Sequence, residues 1–453
     1  MLIYYIKIYI YFSELYYNFS KTMSKLEIKT NTSFSKKKLL VVSHLFHPAV
    51  GGTEIHLLRL TTKLAQFGFK IKVLTTNAYS TEAFFLNDKR RIKKRFERIN
   101  GIEIERLGFH TFGRRTLNFL RNIACYFHYP LNSWIRTYSY GPRNPQFLKK
   151  IREEKPDIIL AAPFPTYNMY YAWKGAKELQ IPLIIYAAFH LLDPCSFDNS
   201  LFYRIMQDAS LIGAQTETER QYLINQGRIP AQKIEIFPPL PITEEDISRP
   251  LPSFSRTALR QKYGISQSKV LLCLSQHGRH KNILPVILAM EHVWKENEDI
   301  ALVIAGRTTA YTSVLKNQAK ILNSRFGRHI YFFDNFSLHQ KEEIWGLADL
   351  FINLSEFESF GIVFVEAMHH GLPVIASTFG VAPSIITDFQ TGALVSPKSL
   401  TEIAGAIIEL IKDKKILNIY GENGRKKVLE EFNPRFILNK WKKRLQSILE
   451  KDN

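Results

Sequence analysis

The chain has 453 residues, of which 45% are hydrophobic and 23% are charged. It is too long for one small binding module, and its composition is that of a globular protein, so a disordered chain and a polytopic membrane protein are also excluded. The 61 Lys and Arg outnumber the 41 Asp and Glu, and the excess lies early, because the first 240 residues hold 34 basic and 18 acidic side chains.

The first 36 residues form a predicted lead-in to the globular part. Met1–Ser20 is rich in Tyr and Ile but carries Lys7 and Glu14, so it is a poor candidate for a membrane-spanning helix. It also lacks the basic start and the small-residue cleavage site of a signal peptide. Met23 is an alternative start, and we expect the polar residues 21–36 to be mobile.

A first domain is predicted over residues 37–240. Short β-branched runs alternate there with helical periods, which is the pattern of a parallel sheet with crossover helices. A turn at Gly51-Gly52 separates the first strand from a helical stripe that ends at Gly68. The predicted strands are Leu39–Val42, Ile71–Thr75, Ile158–Ala161, Leu183–Ala187, Leu211–Ala214 and Ile234–Phe237.

Much of the positive charge of this domain lies between residues 88 and 150, interleaved with aromatic side chains. The basic residues there include Lys89, Arg90, Arg91, Lys93, Lys94, Arg95, Arg114, Arg115, Arg121, Arg136 and Arg143. This mixture suits an anionic partner with an apolar part, so the Lys89–Arg143 region is a candidate contact for an anionic membrane surface. Nucleic acid is a less favoured partner, and a solvated basic face is the alternative.

A proline-rich stretch predicts a linker over residues 241–267, and a second alternating series predicts another domain over residues 268–430. Residues 431–453 are predicted to form a C-terminal helix that crosses back to the first domain. The fold class is therefore α/β, with two Rossmann-like, doubly wound parallel-sheet domains facing across a cleft. The predicted strands of the second domain are Val270–Ser275, Ala301–Ile304, Ile330–Phe333, Leu350–Asn353 and Val374–Ser377.

The segment after Leu350–Asn353 carries the most informative pattern, a strand, a short loop and a helix. Ser359 is the expected N-cap, Gly361 lets a ligand approach the backbone, and Gly371 is expected to end the helix after about three turns. The start of such a helix favours a phosphate. Glu358 and Glu366 flank it, and carboxylates accept hydrogen bonds from vicinal hydroxyls, as in a ribose or a hexose.

These residues resemble a known family. The sequence Glu-Ser-Phe-Gly from Glu358, the second glutamate at Glu366 and Gly-Leu-Pro-Val-Ile-Ala-Ser from Gly371 are similar to the retaining glycosyltransferases of family 4, also called glycosyl transferases group 1, which have the two-domain GT-B fold. The stretch 348–397 follows the pattern closely, and a weaker resemblance runs over residues 38–442.

The resemblance implies a retaining, metal-independent hexosyltransferase. It would move a sugar from a nucleotide-diphosphate-sugar, its donor substrate, to the hydroxyl of a glycan or lipid-linked acceptor, with no cofactor. A cytoplasmic location is implied, with peripheral attachment to the inner face of the membrane as an extension. The alternatives are a non-catalytic basic binding protein that retains the fold and, less favoured, a sugar-nucleotide epimerase.

The resemblance also assigns roles to individual residues. Glu358 would hold the hydroxyls of the donor sugar as a catalytic residue, and Glu366 would hold the ribose. The backbone of Phe360 and Gly361 would face the diphosphate. His190 matches the catalytic histidine of the family and would position the sugar, although a histidine after an apolar strand is by itself more often structural.

Two further loops contribute to the predicted donor site. Gly51 and Gly52 match the glycine loop of the family, where the absence of Cβ allows close approach, although alone they indicate only a turn. Lys281 matches the lysine that neutralises the leaving diphosphate. The arginine expected five residues earlier is Gln276, so Arg279 either supplies that charge from a shifted position or is a surface residue.

No metal site is predicted. The pairs His44 and His47, and His277 and His280, have loose metal-like spacing but no nearby cysteine or carboxylate cluster. The three cysteines, Cys125, Cys195 and Cys273, are odd in number and far apart, which argues against a disulfide framework and indicates a reducing compartment.

Overall fold

The computed structural model describes residues 34, 37–49, 51–85, 89–110, 114–127, 132–163, 165–190, 197–248, 251 and 254–451. Apart from Phe34, the predicted lead-in 1–36 therefore lies outside the described residues. The described chain forms two compact units. The first is built from residues up to Leu240 together with the C-terminal stretch from Arg435, and the second spans Pro241–Pro434.

The first domain contains an eight-stranded sheet in the order β3-β4-β2-β1-β5-β6-β7-β8. Strands β3 and β4 are antiparallel, and all other neighbours are parallel. The strands are β1 (Lys38–Ser43), β2 (Lys70–Thr76), β3 (Phe96–Ile99), β4 (Ile102–Leu107), β5 (Ile158–Ala162), β6 (Leu183–Tyr186), β7 (Leu211–Ala214) and β8 (Ile234–Ile236).

The central strands of this sheet are continuous apolar runs because helices cover both faces. Every residue of β5 is buried, as is every residue of β1 after Lys38. The helices are α1 (Gly52–Gln66), α2 (Glu82–Phe85), α3 (Arg114–Phe127), α4 (Asn132–Ser139), α5 (Gln146–Glu154), α6 (Tyr167–Leu179), α7 (Ser200–Asp208) and α8 (Glu217–Asn225).

The hairpin β3–β4 was not predicted from the sequence. Asn100 and Gly101 join its strands, with φ angles of 50° and 80°. This Asn-Gly pair is a strong hairpin signal, because both central residues of such a turn need positive φ. The signal lies inside the basic stretch, where charged residues dominate the pattern. The alternation typical of strands is weak there, and the two strands were therefore missed.

The second domain contains a six-stranded, entirely parallel sheet in the order β11-β10-β9-β12-β13-β14. The two parallel-sheet α/β domains confirm the predicted fold class. Only β14 was not predicted. The strands are β9 (Lys269–Leu274), β10 (Ile300–Gly306), β11 (Ile330–Asp334), β12 (Leu350–Asn353), β13 (Val374–Ser377) and β14 (Gly392–Val395).

The stretch 241–267, predicted to be a linker, contains two short helices. The second of them is fixed to the sheet of its own domain, because Arg260 donates a hydrogen bond to Asp349 at 2.7 Å, next to the start of β12. The helices of the second domain are α9 (Glu244–Ser248), α10 (Arg256–Lys262), α11 (Ile283–Glu296), α12 (Thr312–Phe326), α13 (Leu338–Leu347), α14 (Ile362–His369), α15 (Leu400–Lys412) and α16 (Lys414–Glu431).

The last helix, α17 (Pro434–Lys451), packs against the first domain. The ring of Trp441 is fully buried and stacks on Phe237, just after β8, with 4.0 Å between ring centroids. Arg444 pairs with Glu235 of β8 at 2.7 Å. The C-terminal residues therefore complete the core of the domain that begins the chain.

Candidate functional site

The predicted donor residues lie at the carboxyl ends of β9 and β12, which are neighbouring strands. Lys281 follows β9 and donates to a carboxylate oxygen of Glu358, which follows β12, at 2.5 Å. Both side chains are largely buried, with 14% and 19% of their surface exposed. Asn282 also donates to the carbonyl of Leu354 at 2.9 Å. The two loops are therefore joined beside the start of α14.

The start of α14 requires a glycine. Gly361 is the N-cap, with a φ of 85°, and a Cβ there would lie 2.5 Å from the ring of Phe364. The prediction that Ser359 caps this helix is therefore wrong, since the chain reaches helical geometry only after the left-handed residue. The helix has eight residues, shorter than the predicted three turns. The side chain of Phe360 is buried against Phe432 and is therefore not available to a ligand.

Glu366 lies on α14 and is paired with Lys341 of α13, whose Nζ is 2.6 Å from a carboxylate oxygen. The side chains are 18% and 23% exposed. Sequence reasoning did not single out Lys341, and no local pattern marks it, because the contact depends on how α13 packs beside α14. Each of the two predicted donor-binding glutamates is thus held by a lysine.

Arg279 does not join this group in the structure. Its guanidinium lies over the ring of Tyr311, 5.3 Å from the ring centroid, and Arg279 is an exposed residue. Gln276 lies in the turn before it, where its carbonyl accepts a hydrogen bond from the backbone of Gly278 at 2.7 Å. Of the two candidate cations, Lys281 is therefore the one that the structure brings to Glu358.

The glycine loop of the first domain lies at the start of α1. Gly51 is the N-cap and has an extended backbone, and Gly52 is the first helical residue. A Cβ on Gly51 would overlap the carboxylate of Glu54, which folds back towards it. Glu54 is buried, and this burial raises the pKa of its carboxyl. Glu54, an acidic residue of the first turn, therefore fills the space beside the glycine.

His190 follows β6 at the carboxyl end of the first sheet and lies edge-on to the ring of Phe197, with 5.3 Å between centroids. The preceding backbone is held by Glu219, whose two carboxylate oxygens accept hydrogen bonds from the N–H of Phe189 at 2.8 Å and the N–H of Gln215 at 2.5 Å. Glu219 thus joins the ends of β6 and β7 directly beside His190.

Glu219 is fully buried. Burial raises the pKa of its carboxyl to about 8, while the hydrogen bonds from Gln215, Phe189 and Thr216 lower it. Sequence reasoning missed this residue. A local signal existed, because Thr216 and Glu219 have capping-box spacing, and Thr216 does accept from the N–H of Glu219 at 3.1 Å. That pattern does not predict the contact with Phe189.

In the part of the chain that the structure describes, no group of three or more His, Cys, Asp or Glu side chains could hold a metal ion. His44 is buried, and burial lowers its pKa to about 3. Burial also lowers the pKa of His277. Within the same residues, no helix combines the length and the apolar character needed to cross a membrane.

Comparison with known families agrees with this arrangement. Residues 50–240 match the model of Glycosyltransferase Family 4, and residues 255–427 match the model of Glycosyl transferases group 1. The two matches together include every candidate site residue named above. The chain belongs to the family 4 glycosyltransferases. The resemblance seen at Glu358 and Glu366 is thereby confirmed.

Individual relatives of this family 4 glycosyltransferase were also found. It is 30% identical to the N-acetyl-alpha-D-glucosaminyl L-malate synthase of Bacillus anthracis over 200 residues, which are 43% of this chain and 50% of that protein. It is 32% identical to the alpha-monoglucosyldiacylglycerol synthase of Streptococcus pneumoniae over 198 residues, 41% of this chain and 44% of that protein. The chain thus spans about half the length of the curated relatives it matches.

A solved structure supports the fold over almost the whole chain. The structure of Anabaena HepE in complex with UDP superimposes with a TM-score of 0.65 at 19% identity, covering 90% of this chain and all of that chain. At this identity the similarity shows the GT-B fold alone.

Proposed function

We propose that this family 4 glycosyltransferase moves a sugar from a nucleotide-diphosphate-sugar to an acceptor hydroxyl, with retention of configuration and without a metal ion. The observation that carries the proposal is the ion pair between Lys281 and Glu358 beside the glycine-capped start of α14. A buried cation, a carboxylate and a helix N-terminus in one place suit a group that has both phosphates and hydroxyls.

The ion pairs suggest how the donor would be received. Hydroxyls of the sugar would donate to Glu358 and leave Lys281 available for the diphosphate, whose charge the N–H groups at the start of α14 also favour. Ribose hydroxyls would donate to Glu366, which Lys341 already holds in place. Both glutamates therefore stay paired before the donor arrives, which limits the cost of their partial burial.

In the proposed reaction the bond between the anomeric carbon and the phosphate oxygen breaks, and the acceptor oxygen bonds to the same face of the sugar. The proton of the acceptor hydroxyl passes to the departing phosphate oxygen. Lys281 would stabilise the charge on the diphosphate, and His190 would position the sugar. No enzyme nucleophile takes part in this sequence.

Calorimetric titration with UDP-, GDP- and ADP-sugars tests the donor assignment. One nucleotide class should bind to the wild type, and Glu366→Ala should weaken that binding because the ribose contact is lost. Glu358→Ala should mainly lower turnover, since the sugar is the part that distorts in the transition state. Glu409→Ala, at an exposed position on α15, is the matched control and should bind normally.

Equal nucleotide affinity in the wild type and in Glu366→Ala would contradict the assignment. The reaction itself is tested by following donor hydrolysis and transfer, with the anomeric configuration of the product read by NMR. Binding of the nucleotide sugar without turnover towards any acceptor or water would favour the non-catalytic binding protein instead, for which the glutamine at Gln276 is the supporting feature.

We also propose that the first domain attaches peripherally to an anionic membrane surface. Phe119 and Tyr126 lie seven residues apart on α3, so they share one face, and they are 65% and 80% exposed. Trp134 on α4 is 48% exposed. Exposed aromatic side chains on a domain with a large excess of basic residues fit the interface between lipid headgroups and acyl chains. A lipid-linked acceptor would be reached from this position.

Sedimentation with phosphatidylglycerol vesicles tests this attachment. The wild type should sediment at low salt and dissociate as ionic strength rises. The double variant with Phe119→Ser and Tyr126→Ser should remain in solution, whereas Phe436→Ser, which alters a 60% exposed residue of α17, should behave as the wild type. Equal sedimentation of the double variant and the wild type would overturn the assignment of this surface.

A further inference from the structure

A polar cavity of about 190 Å³ lies in the first domain at the carboxyl ends of β2 and β4. Three basic residues line it, and no acidic residue is among its lining residues in the described chain. We propose that this cavity is a subsite for an anionic group of the acceptor, a phosphate or phosphate-like group. The inference rests on the proposed glycosyltransferase function and names the chemistry of its second substrate. The lining residues are Asn77, Ile92, Lys93, Arg95, Arg106, Leu107, Gly108 and Gln146.

One wall of the cavity is built around Arg106. Its side chain is fully buried and donates to Glu97 at 2.7 Å and to the carbonyls of Lys94 and His47 at 3.0 and 2.6 Å. Its Nε is buried and makes no hydrogen bond, and neither does the side-chain oxygen of Asn77. Buried polar atoms are normally satisfied, so unmatched ones beside a cavity indicate a missing polar partner.

The charge around the cavity is in excess of what the nearby carboxylates neutralise. Glu97 is shared by Arg106 and Lys94, which is 3.0 Å away. Glu105 pairs with Lys72 at 3.0 Å and lies 3.6 and 3.8 Å from Arg95 and Lys150. Lys72 also pairs with Glu154, and Lys150 also pairs with Glu153 at 2.8 Å.

Lys93 adds a further positive charge on an exposed residue. With Lys93 included, the basic side chains outnumber the carboxylates of Glu97, Glu105, Glu153 and Glu154, so the cavity retains a positive potential that an anion would neutralise.

The position of the cavity connects it to the proposed reaction. Arg106 holds the carbonyl of His47, in the loop between β1 and the Gly51-Gly52 start of α1, so a ligand in the cavity would lie next to that loop. Three steps across the sheet, from β2 through β1 and β5, lead to β6 and His190. At about 4.8 Å per step this is roughly 14 Å. An acceptor that reaches both places must be an extended molecule.

The test uses the full chain saturated with whichever nucleoside diphosphate binds it, so that the donor site cannot take up the probe. Inorganic phosphate is then titrated at low salt. The wild type should bind phosphate. The double variant with Lys93→Gln and Arg95→Gln should bind it at least about tenfold more weakly, because two charge-assisted hydrogen bonds are lost. The matched control, Lys70→Gln with Arg98→Gln, alters exposed residues outside the cavity and should bind normally.

Each outcome has a separate meaning. If no nucleotide binds, the proposed function fails. If nucleotide binds but phosphate does not, the subsite is overturned while the proposed function stands. The same holds if phosphate binds the variant with Lys93→Gln and Arg95→Gln as tightly as it binds the wild type and the control. A lipid headgroup and a phosphorylated glycan share this chemistry. Where phosphate binding depends on Lys93 and Arg95, loss of phosphatidylglycerol sedimentation in that variant identifies the headgroup, and unchanged sedimentation identifies the glycan.

Discussion

Replacing Glu219 by glutamine should remove one source of pH dependence from the stability of the first domain, so that the variant and the wild type exchange their order of stability between pH 5 and pH 8. The carboxyl pKa rises from an ordinary value of 4.5 to about 8 on folding. A carboxyl with a raised pKa binds more protons in the folded than in the unfolded chain between these values, so the wild type loses stability as pH rises through this window. The loss is about 1.4 kcal/mol per pH unit, or roughly 3.5 kcal/mol between pH 5 and pH 8.

Glutamine removes this titration but has only one side-chain oxygen. It can accept from Phe189 or from Gln215 but not from both, and an unmatched buried N–H costs about 1–3 kcal/mol. We therefore expect Glu219→Gln to be less stable than the wild type at pH 5 and more stable at pH 8. The backbone before His190 loses part of its support, so turnover should fall while nucleotide affinity stays unchanged.

Thermal unfolding of both proteins from pH 5 to pH 8 measures the difference, in which the titration of all other groups cancels. The difference between the unfolding midpoints of the two proteins should change by roughly 7–14 °C between pH 5 and pH 8, at about 2–4 °C per kcal/mol for a domain of this size. Glu217→Gln, on the same helix but with a 51% exposed side chain, is the control and should show no such trend. A wild-type-to-variant difference that is constant with pH would refute the reasoning.

Three further results are expected from the second domain. Gly361→Ala should lose about 1–2 kcal/mol of stability, because the φ of Gly361 is 85° and a Cβ there would strike Phe364. Its control, Gly405→Ala, lies in a helix with open space around the added Cβ and should gain up to about 1 kcal/mol. Chemical denaturation compares the two variants. Lys281→Ala should lose on the order of 10²–10³ in turnover, and wild-type activity would mean that the phosphate site lies elsewhere. Arg279→Ala should change turnover little, because the side chain lies over an aromatic ring and belongs to an exposed residue. Gln276→Arg should raise turnover if the diphosphate site lacks a second cation. Steady-state kinetics of both variants check these two results.

The sequence by itself determined the strands of both sheets where their residues are buried on two sides. The runs Leu39–Val42 of β1 and Leu350–Ile352 of β12 are apolar because parallel strands covered by helices leave little room for polar side chains. It also carried the family resemblance of the Glu358 to Glu366 segment, since the residue types and their spacing along one strand, loop and helix are local properties. Gly361 could be predicted to matter for the same reason, although the residue that caps the helix was assigned wrongly.

Only the tertiary structure decided which residues meet. Lys281 and Glu358 are 77 positions apart and touch because β9 and β12 are neighbours, a strand order that no local pattern contains. Glu219 reaches the residue before His190 because β6 and β7 are neighbours and α8 begins where β7 ends. Periodicity records which face of an element is buried, but not which other element covers it. The partners of the buried charges are therefore set by the packing of segments far apart in the chain.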